Sequence, residues 1–489
     1  MLSQNETPLF SGLLDHASKN PVQFHIPGHK KGIGMDPTFR SFIGDNALSI
    51  DLINIQPLDD LHHPQGMIKQ AQELAAEAFG ADYTFFSVQG TSGAIMTMVL
   101  SVCGPGDKII VPRNIHKSVT TAIIFSGATP IFIHPEVDEN LGISHGITPA
   151  SVEKALQAHP DAKGVLVINP TYFGIAADLR RIVDISHTYN VPVLVDEAHG
   201  IHIHFHEDLP ISAMQAGADL AATSVHKLGG SLTQSSVLNL KEGLVSHERV
   251  QSVLSMLTTT STSYILLASL DTARKQLAIN GRHLIDQTIL LANKTRAAIN
   301  KIPHLYCVGS EILGSGATYN YDPTKMIVSV KNLGMTGYDA EVWLRENYNI
   351  EVELSDLYNI LCIVTPGDTD REVNILVDAL FKLAGDQEIT ATEKTIEVTV
   401  PDIPLLAFSP REAFYADTEI INMSDSAGRI SAESIMVYPP GIPIFIPGEI
   451  ITKENIDYIN QNLKAGLPVQ GLEDETLQQI RVIKEHKPF

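Results

Sequence analysis

Cysteine is scarce: Cys103, Cys307 and Cys362 are the only three in 489 residues, and they fall in no CxxC spacing. An odd number cannot all pair, which excludes a disulfide framework and points to a reducing compartment. No apolar run approaches the roughly 20 residues that a membrane span requires. The opening stretch MLSQNETPLF lacks a basic segment followed by an apolar one, so no signal peptide is expected and the chain reads as cytoplasmic. Positive charge is also short, with 34 Lys and Arg against 56 Asp and Glu and a net charge of -22. A nucleic-acid partner needs clustered Lys and Arg against its phosphates, so that class is excluded. An acidic protein suits a cationic small molecule by electrostatic steering, although acidity also serves solubility alone. Neither an internal repeat nor a low-complexity tract is visible.

What remains is an ordinary globular balance, 44% hydrophobic and 18% charged, at a length that predicts two or three domains. From about residue 67 helices and strands alternate. MIKQAQELAAEAFG places Ile68, Ala71, Leu74, Ala75 and Ala78 on one helical face and stops at Gly80. The apolar strands TFFSV, KIIVP, PIFIHP, GVLVINP and PVLVDEA follow, separated by helix-like segments such as the one opened by Thr148 and Pro149. Continuous apolar strands between helices predict an α/β fold with a mostly parallel sheet covered on both faces. The expected division is an N-terminal arm over 1–50, a large domain over 51–300, a small α+β domain over 301–385 and a C-terminal domain over 397–489. The acidic, Thr-rich stretch near 385–397 reads as a linker.

Ligands of such sheets bind at the carboxyl ends of the strands, and chemistry-bearing residues collect there. Gly90, Thr91 and Ser92 in FFSVQGTSGAI offer backbone N–H groups, hydroxyls and the positive end of a helix dipole, an anion cradle without the lysine of a P-loop. Alone, an ordinary capped helix explains them as well. His116 in VPRNIHKS can stack on a flat ligand or move a proton. Asp196 in VDEAHGIH ends an apolar strand, where a carboxylate needs a cationic or hydrogen-bonding partner. Lys227 in TSVHKLGGSL, flanked by Ser224 and His226, follows the apolar run GADLAA; burial pushes an amine toward its neutral, nucleophilic form. A phosphate cradle, a stacking histidine, a carboxylate for a protonated pyridine and a Schiff-base lysine together suit a phosphorylated pyridine aldehyde.

The segments GTS, RNIHKS, VDEAHG and SVHKLGG resemble the Orn/Lys/Arg decarboxylase family of fold-type I pyridoxal-phosphate enzymes. FHIPGHKKG, PLDDLHHPQG, STSYILLASLD, YDPTK and YPPGIPIFIPGE extend that resemblance over nearly the whole chain. Its compact form is similar to the biosynthetic arginine decarboxylases of Bacillus-type bacteria. With only about 50 residues ahead of the alternation, no room is expected for an additional N-terminal regulator-like domain. The resemblance implies pyridoxal 5'-phosphate (PLP) bound in the 51–300 domain, which would be aspartate aminotransferase-like. Lys227 would carry it, Asp196 would pair with its pyridine nitrogen and His116 would stack on its ring. Gly90, Thr91, Ser92, Ser224 and His226 would line its phosphate end, and His199 would lie on the cofactor side. Ser261 would reach the phosphate of a neighbouring subunit, making a homodimer the smallest assembly. Glu449 would stand near the substrate's amine or guanidinium. Asp60, with Asp59, can either meet a substrate cation or cap the helix that follows.

The implied reaction is decarboxylation of L-arginine to agmatine and CO2 in polyamine (spermidine) biosynthesis. Lys227 or His226 would return a proton to the product carbon. The same chemistry on lysine or ornithine, giving cadaverine or putrescine, or a side reaction such as cysteine desulfuration, remains open. So does a catalytically silent binding protein on this fold, which intact Lys227, Asp196 and His116 argue against. An aminotransferase would grip the α-carboxylate with arginine, and Arg411 is the residue to check. His202, His204 and His206 alternate and on a strand would share one face. No further Cys or His motif completes a metal site around them, so no metal is expected; some would line the active site and the others be partly exposed.

Overall fold

The structure is a computed structural model that describes residues 2–386, 401–437, 440–464 and 466–484, so most of the expected linker lies outside the described residues. The five apolar strands become β1 (Tyr83–Ser87), β2 (Lys108–Pro112), β3 (Thr129–Ile133), β4 (Gly164–Ile168) and β5 (Val193–Asp196), the run GADLAA leads into β6 (Leu220–Thr223), and the structure adds β7 (Ser236–Leu240). Among the helices are α1 (Met67–Phe79), α2 (Gly90–Val102), α3 (Lys117–Ser126), α4 (Pro149–Ala158), α5 (Val225–Leu228) and α6 (Tyr264–Ile299). In α1, Ile68, Ala71, Leu74 and Ala75 are buried as their spacing predicts. The face continues through Ala76 and Phe79, while Ala78 is only half-buried. Gly80 ends it in the left-handed region at φ +67°, where a side chain would be strained, and donates to the Ala76 and Glu77 carbonyls. The start of α4 also follows its sequence: the Thr148 hydroxyl accepts from the Ser151 N–H, and Pro149 occupies the first turn.

The chain divides into two compact units, Met1–Val102 with Asn190–Ile285, and Cys103–Tyr189 with Asp286–Phe489. In the first, β1, β7, β6 and β5 lie side by side. The pairs β1–β7 and β7–β6 are antiparallel, and β5–β6 is parallel with Asp196 opposite Ala222. All residues of β5, β6 and β7 are buried, which is why β5 and β6 begin as unbroken apolar runs rather than alternating ones, while β7 buries the polar Ser236 and Asn239 as well. In the second unit β2 runs between β3 and β4, parallel to both. This mostly parallel α/β arrangement places β5 and β6, and separately β2 and β4, with their carboxyl ends at one edge.

The second unit also holds an antiparallel sheet in the order Tyr306–Cys307, Lys325–Ser329, Asn359–Ile363, Leu354–Ser355. Its core joins Met326, Val328 and Ile360 to Leu344, Leu380 and Leu383 of two helices, Gly337–Tyr348 and Asp370–Asp386. A separate core gathers Ile435, Phe445, Ile459, Ile480 and Val482 near the carboxyl end of the chain. Among the described residues, no helix is long and apolar enough to cross a membrane.

Candidate active site

In the first unit β6 ends at Thr223, and the chain turns at once into the single helical turn of α5, with Ser224 at its N-cap and Lys227 inside it. The turn is tight: the Gly229 N–H reaches the Val225 carbonyl at 2.8 Å, and a Cβ at Gly229 would lie 2.7 Å from that oxygen. Lys227 is half-buried, and its Nζ lies 2.7 Å from His199 Nε2. His226 Nδ1 donates to the Ser235 carbonyl over 2.8 Å, which anchors its ring to the β6–β7 connection.

Asp196 is the last residue of β5 and is buried. Burial lifts its carboxyl to about 6, although the Ala198 N–H and the Lys227 charge both pull it down. Beside it stands Glu197, fully buried, a residue that sequence reasoning missed. Its oxygens accept from the Ala213 N–H at 2.6 Å, from the Thr223 hydroxyl at 3.2 Å and from His204 Nε2 at 3.1 Å. The ends of β5 and β6 are thereby tied together between Asp196 and Lys227. The histidine run is not a strand: His202 precedes a 3-10 turn over Ile203–Phe205, so its period-two pattern does not give one face. His202 and His206 are buried, and the His204 side chain is only 2% exposed, so the expected partial exposure is also corrected.

Three hydroxyls meet nearby. The Thr91 hydroxyl is hydrogen-bonded to that of Ser224 and lies 2.9 Å from that of Ser236. All three residues are buried at the start of α2, whereas Ser92 is half-buried. Ser236 was not anticipated; its position opposite Ser87 in the β1–β7 register is what brings it there. Gly90 opens α2 at φ +68° with its N–H on the Gln234 carbonyl. A 13-residue helix entered through hydroxyls and glycine offers partial positive charge to an anion. Ser261 is exposed, just ahead of α6, with its N–H on the Thr259 hydroxyl.

Asp59 is a helix-capping residue. Its carboxylate accepts from the N–H groups of Asp60, Gln65, Gly66 and Ile68. Burial raises its pKa, and those backbone donors outweigh that and hold it below the ordinary value. Asp60 is half-buried and accepts from the His62 N–H and the Asn54 amide.

In the second unit His116 is exposed and caps α3, its Nδ1 accepting from the Ser118 N–H. That bond leaves the neutral ring its proton on Nε2. Asn169, buried directly after β4, accepts from the Ala177 N–H through Oδ1, while its Nδ2 has no hydrogen-bond partner among the described residues. Glu449 departs from its expected substrate role. It is completely buried, with Arg113 Nη1 and Nη2 on its two oxygens at 2.6 and 2.7 Å and the Ile446 N–H on Oε2. A carboxylate so engaged has little left for a substrate amine. Arg411 is exposed and donates to the Phe125 carbonyl at the carboxyl end of α3, roughly 15 Å along the helix from the His116 end.

The first-unit residues fit the phosphorylated pyridine aldehyde that the sequence suggests. A buried carboxylate with a raised pKa wants a cationic partner, and the hydroxyl cluster at a helix N-terminus wants an anion. The raised pKa of Asp196 carries a stability cost. A carboxyl whose pKa rises on folding, here from 3.8 to about 6, costs stability as pH climbs through that window, because ionisation is harder in the fold than in the unfolded chain. The difference corresponds to roughly 3 kcal/mol. In protein stripped of bound small molecules, Asp196→Asn should gain on its parent by about 3 kcal/mol between about pH 4 and pH 7. Urea unfolding at both pH values measures this, and a pH-independent difference would refute it.

Two family models match the chain: the Orn/Lys/Arg decarboxylase major domain over residues 7–372 and the C-terminal domain of the same family over 395–480. An arginine decarboxylase of Bacillus subtilis (strain 168) is 72% identical, with 99% of each chain covered. One of Halalkalibacterium halodurans is 73% identical over 100% of this chain and 99% of its own. Among solved structures, the lysine decarboxylase of Francisella novicida superposes with a TM-score of 0.84 at 23% identity, covering 98% of this chain and 82% of that one. The chain belongs to the Orn/Lys/Arg decarboxylase family and has the fold of its fold-type I members.

Proposed function

We propose that the protein decarboxylates L-arginine to agmatine and CO2, using PLP carried by Lys227. The observation behind this reading is the full-length identity to the Bacillus subtilis arginine decarboxylase. The cofactor, when bound, supplies an electron sink for the pair left behind as CO2 departs. Lys227 would hold it, and the buried Asp196 would pair with its pyridine nitrogen. Gly90, Thr91, Ser92, Ser224 and His226 form the phosphate end, joined by Ser236. His116 would take the ring-stacking role by its motif. Asp60 remains the candidate for the substrate's cationic end, whereas Glu449 is given over to Arg113.

The same proposal includes a homodimer, with Ser261 reaching the neighbour's phosphate. Val22, Phe24, Ile33 and Phe42 are between 77% and 96% exposed on one N-terminal segment, more apolar surface than water favours and suited to a second copy. A cytoplasmic place in polyamine synthesis fits three unpaired cysteines whose thiols burial pushes up to about 11 or 12, keeping them inert. The fourfold domain division at 1–50, 51–300, 301–385 and 397–489 is part of this reading.

The test is product analysis after incubating PLP-loaded protein with equal arginine, lysine and ornithine. Agmatine should dominate. Cadaverine or putrescine in its place would keep the chemistry and overturn the substrate, and no amine at all would overturn both.

A further inference from the structure

The short approach of two basic side chains in the first unit calls for an explanation. Lys227 Nζ and His199 Nε2 stand 2.7 Å apart, a distance at which two nitrogens must share a proton rather than each carry one. The placement is preorganised. His199 is 5% exposed, in a turn closed by the Gly200 N–H on the Glu197 carbonyl. The base of that turn is fixed by the Ala198 N–H on the Asp196 carboxylate and the Glu197 N–H on the Ala222 carbonyl. The remaining titratable groups on these elements are Asp196 and Glu197 at the end of β5, His202 and His204 in the following turn, and His226 beside Lys227. Glu197 is engaged with His204, and His226 Nδ1 with the Ser235 carbonyl. His199 is thus an imidazole in direct contact with the reacting amine.

We propose that His199 is a catalytic residue that exchanges a proton with the Lys227 amine during decarboxylation. This rests on the decarboxylase reading. In the reaction the bond between the α-carbon and the carboxylate breaks, CO2 leaves, and the electron pair stays with the α-carbon. One proton is then needed there. Lys227 delivers it from its amine, and His199 restores that proton to Lys227, being recharged in turn from solvent. Net consumption is one proton for each CO2 released. Of the two donors considered from sequence, this scheme assigns the step to Lys227 rather than His226, with a histidine 28 positions before Lys227 recharging it.

The experiment compares the PLP-loaded parent with His199→Phe, which keeps a flat ring without nitrogen, and His199→Gln, which keeps a hydrogen-bonding group but carries no proton. Both variants should retain the visible absorbance of the lysine-bound cofactor and a near-parental KM, while kcat falls roughly 10²-fold. The pH titration of that absorbance, which reports the proton at the Lys227 nitrogen, should move by about one unit or more in both. A Gln variant with parental kcat and titration would overturn the proposal, leaving His199 a hydrogen-bonding role. Loss of the absorbance in both variants at saturating PLP would overturn it too, in favour of cofactor retention. If the parent itself released no amine, the decarboxylase reading would fall, while the titration would still read whether the proton is shared.

Discussion

Replacing Lys227 with alanine should reduce amine release by roughly 10⁴-fold or more, beyond what a positioned acid–base group alone contributes, because the covalent anchor goes with it. The fold should survive. The turn that carries Lys227 is held by the Gly229 N–H on the Val225 carbonyl and by His226 Nδ1 on the Ser235 carbonyl, neither of which uses the Lys227 side chain. The buried Glu197 network that fixes the ends of β5 and β6 is untouched as well. The expected result is thus folded protein with a near-parental melting curve, no visible absorbance from a lysine-bound cofactor, and activity at background. Addition of a small primary amine should restore a fraction of turnover, since it can replace the missing nitrogen but not its placement. Activity within about tenfold of the parent would remove Lys227 from the chemistry.

Lys227 and Asp196 were legible because each is a charge at the end of an apolar run, where burial without purpose is costly. The same logic made Thr148 and Pro149 readable as a helix start, since the signals are adjacent in sequence and need no tertiary partner. Glu197 was invisible for the opposite reason. Following Asp196, it looks like one more loop charge, and its partners Ala213 and Thr223 lie 16 and 26 residues away. The histidine run misled through its alternation. Period two implies a strand only if the backbone is extended, and the i to i−3 bonds from Gly200, Ile203 and Phe205 wind it instead. Contact between Lys227 and His199 depends on a turn geometry that no local pattern encodes. The motif could mark His199 as close to the cofactor, but not as touching the amine.

Glu449 shows the limit of motif transfer most clearly, and its removal should have the largest effect on stability. Arg113 follows β2 immediately, and its partner lies 336 residues further along. Besides the two bonds to Glu449, the guanidinium donates to the Pro443 and Ile444 carbonyls and lies 4.7 Å from the centre of the Phe132 ring. Both charged side chains are 1% exposed. Desolvating such a pair offsets much of its attraction, so its presence alone argues little for stability. Breaking it is different, because Glu449→Ala strands a buried guanidinium at a cost of roughly 3–5 kcal/mol. Glu449→Gln, which can still accept one bond, should cost less, and the double variant Arg113→Met with Glu449→Leu should recover much of the loss by leaving no uncompensated charge. Urea unfolding monitored by circular dichroism would rank the four proteins. If Glu449 instead served the substrate, the Ala variant would unfold at the parental urea concentration while KM for arginine rose. The bidentate geometry predicts the reverse: a lower unfolding midpoint, and a KM that stays near the parent wherever the variant remains folded.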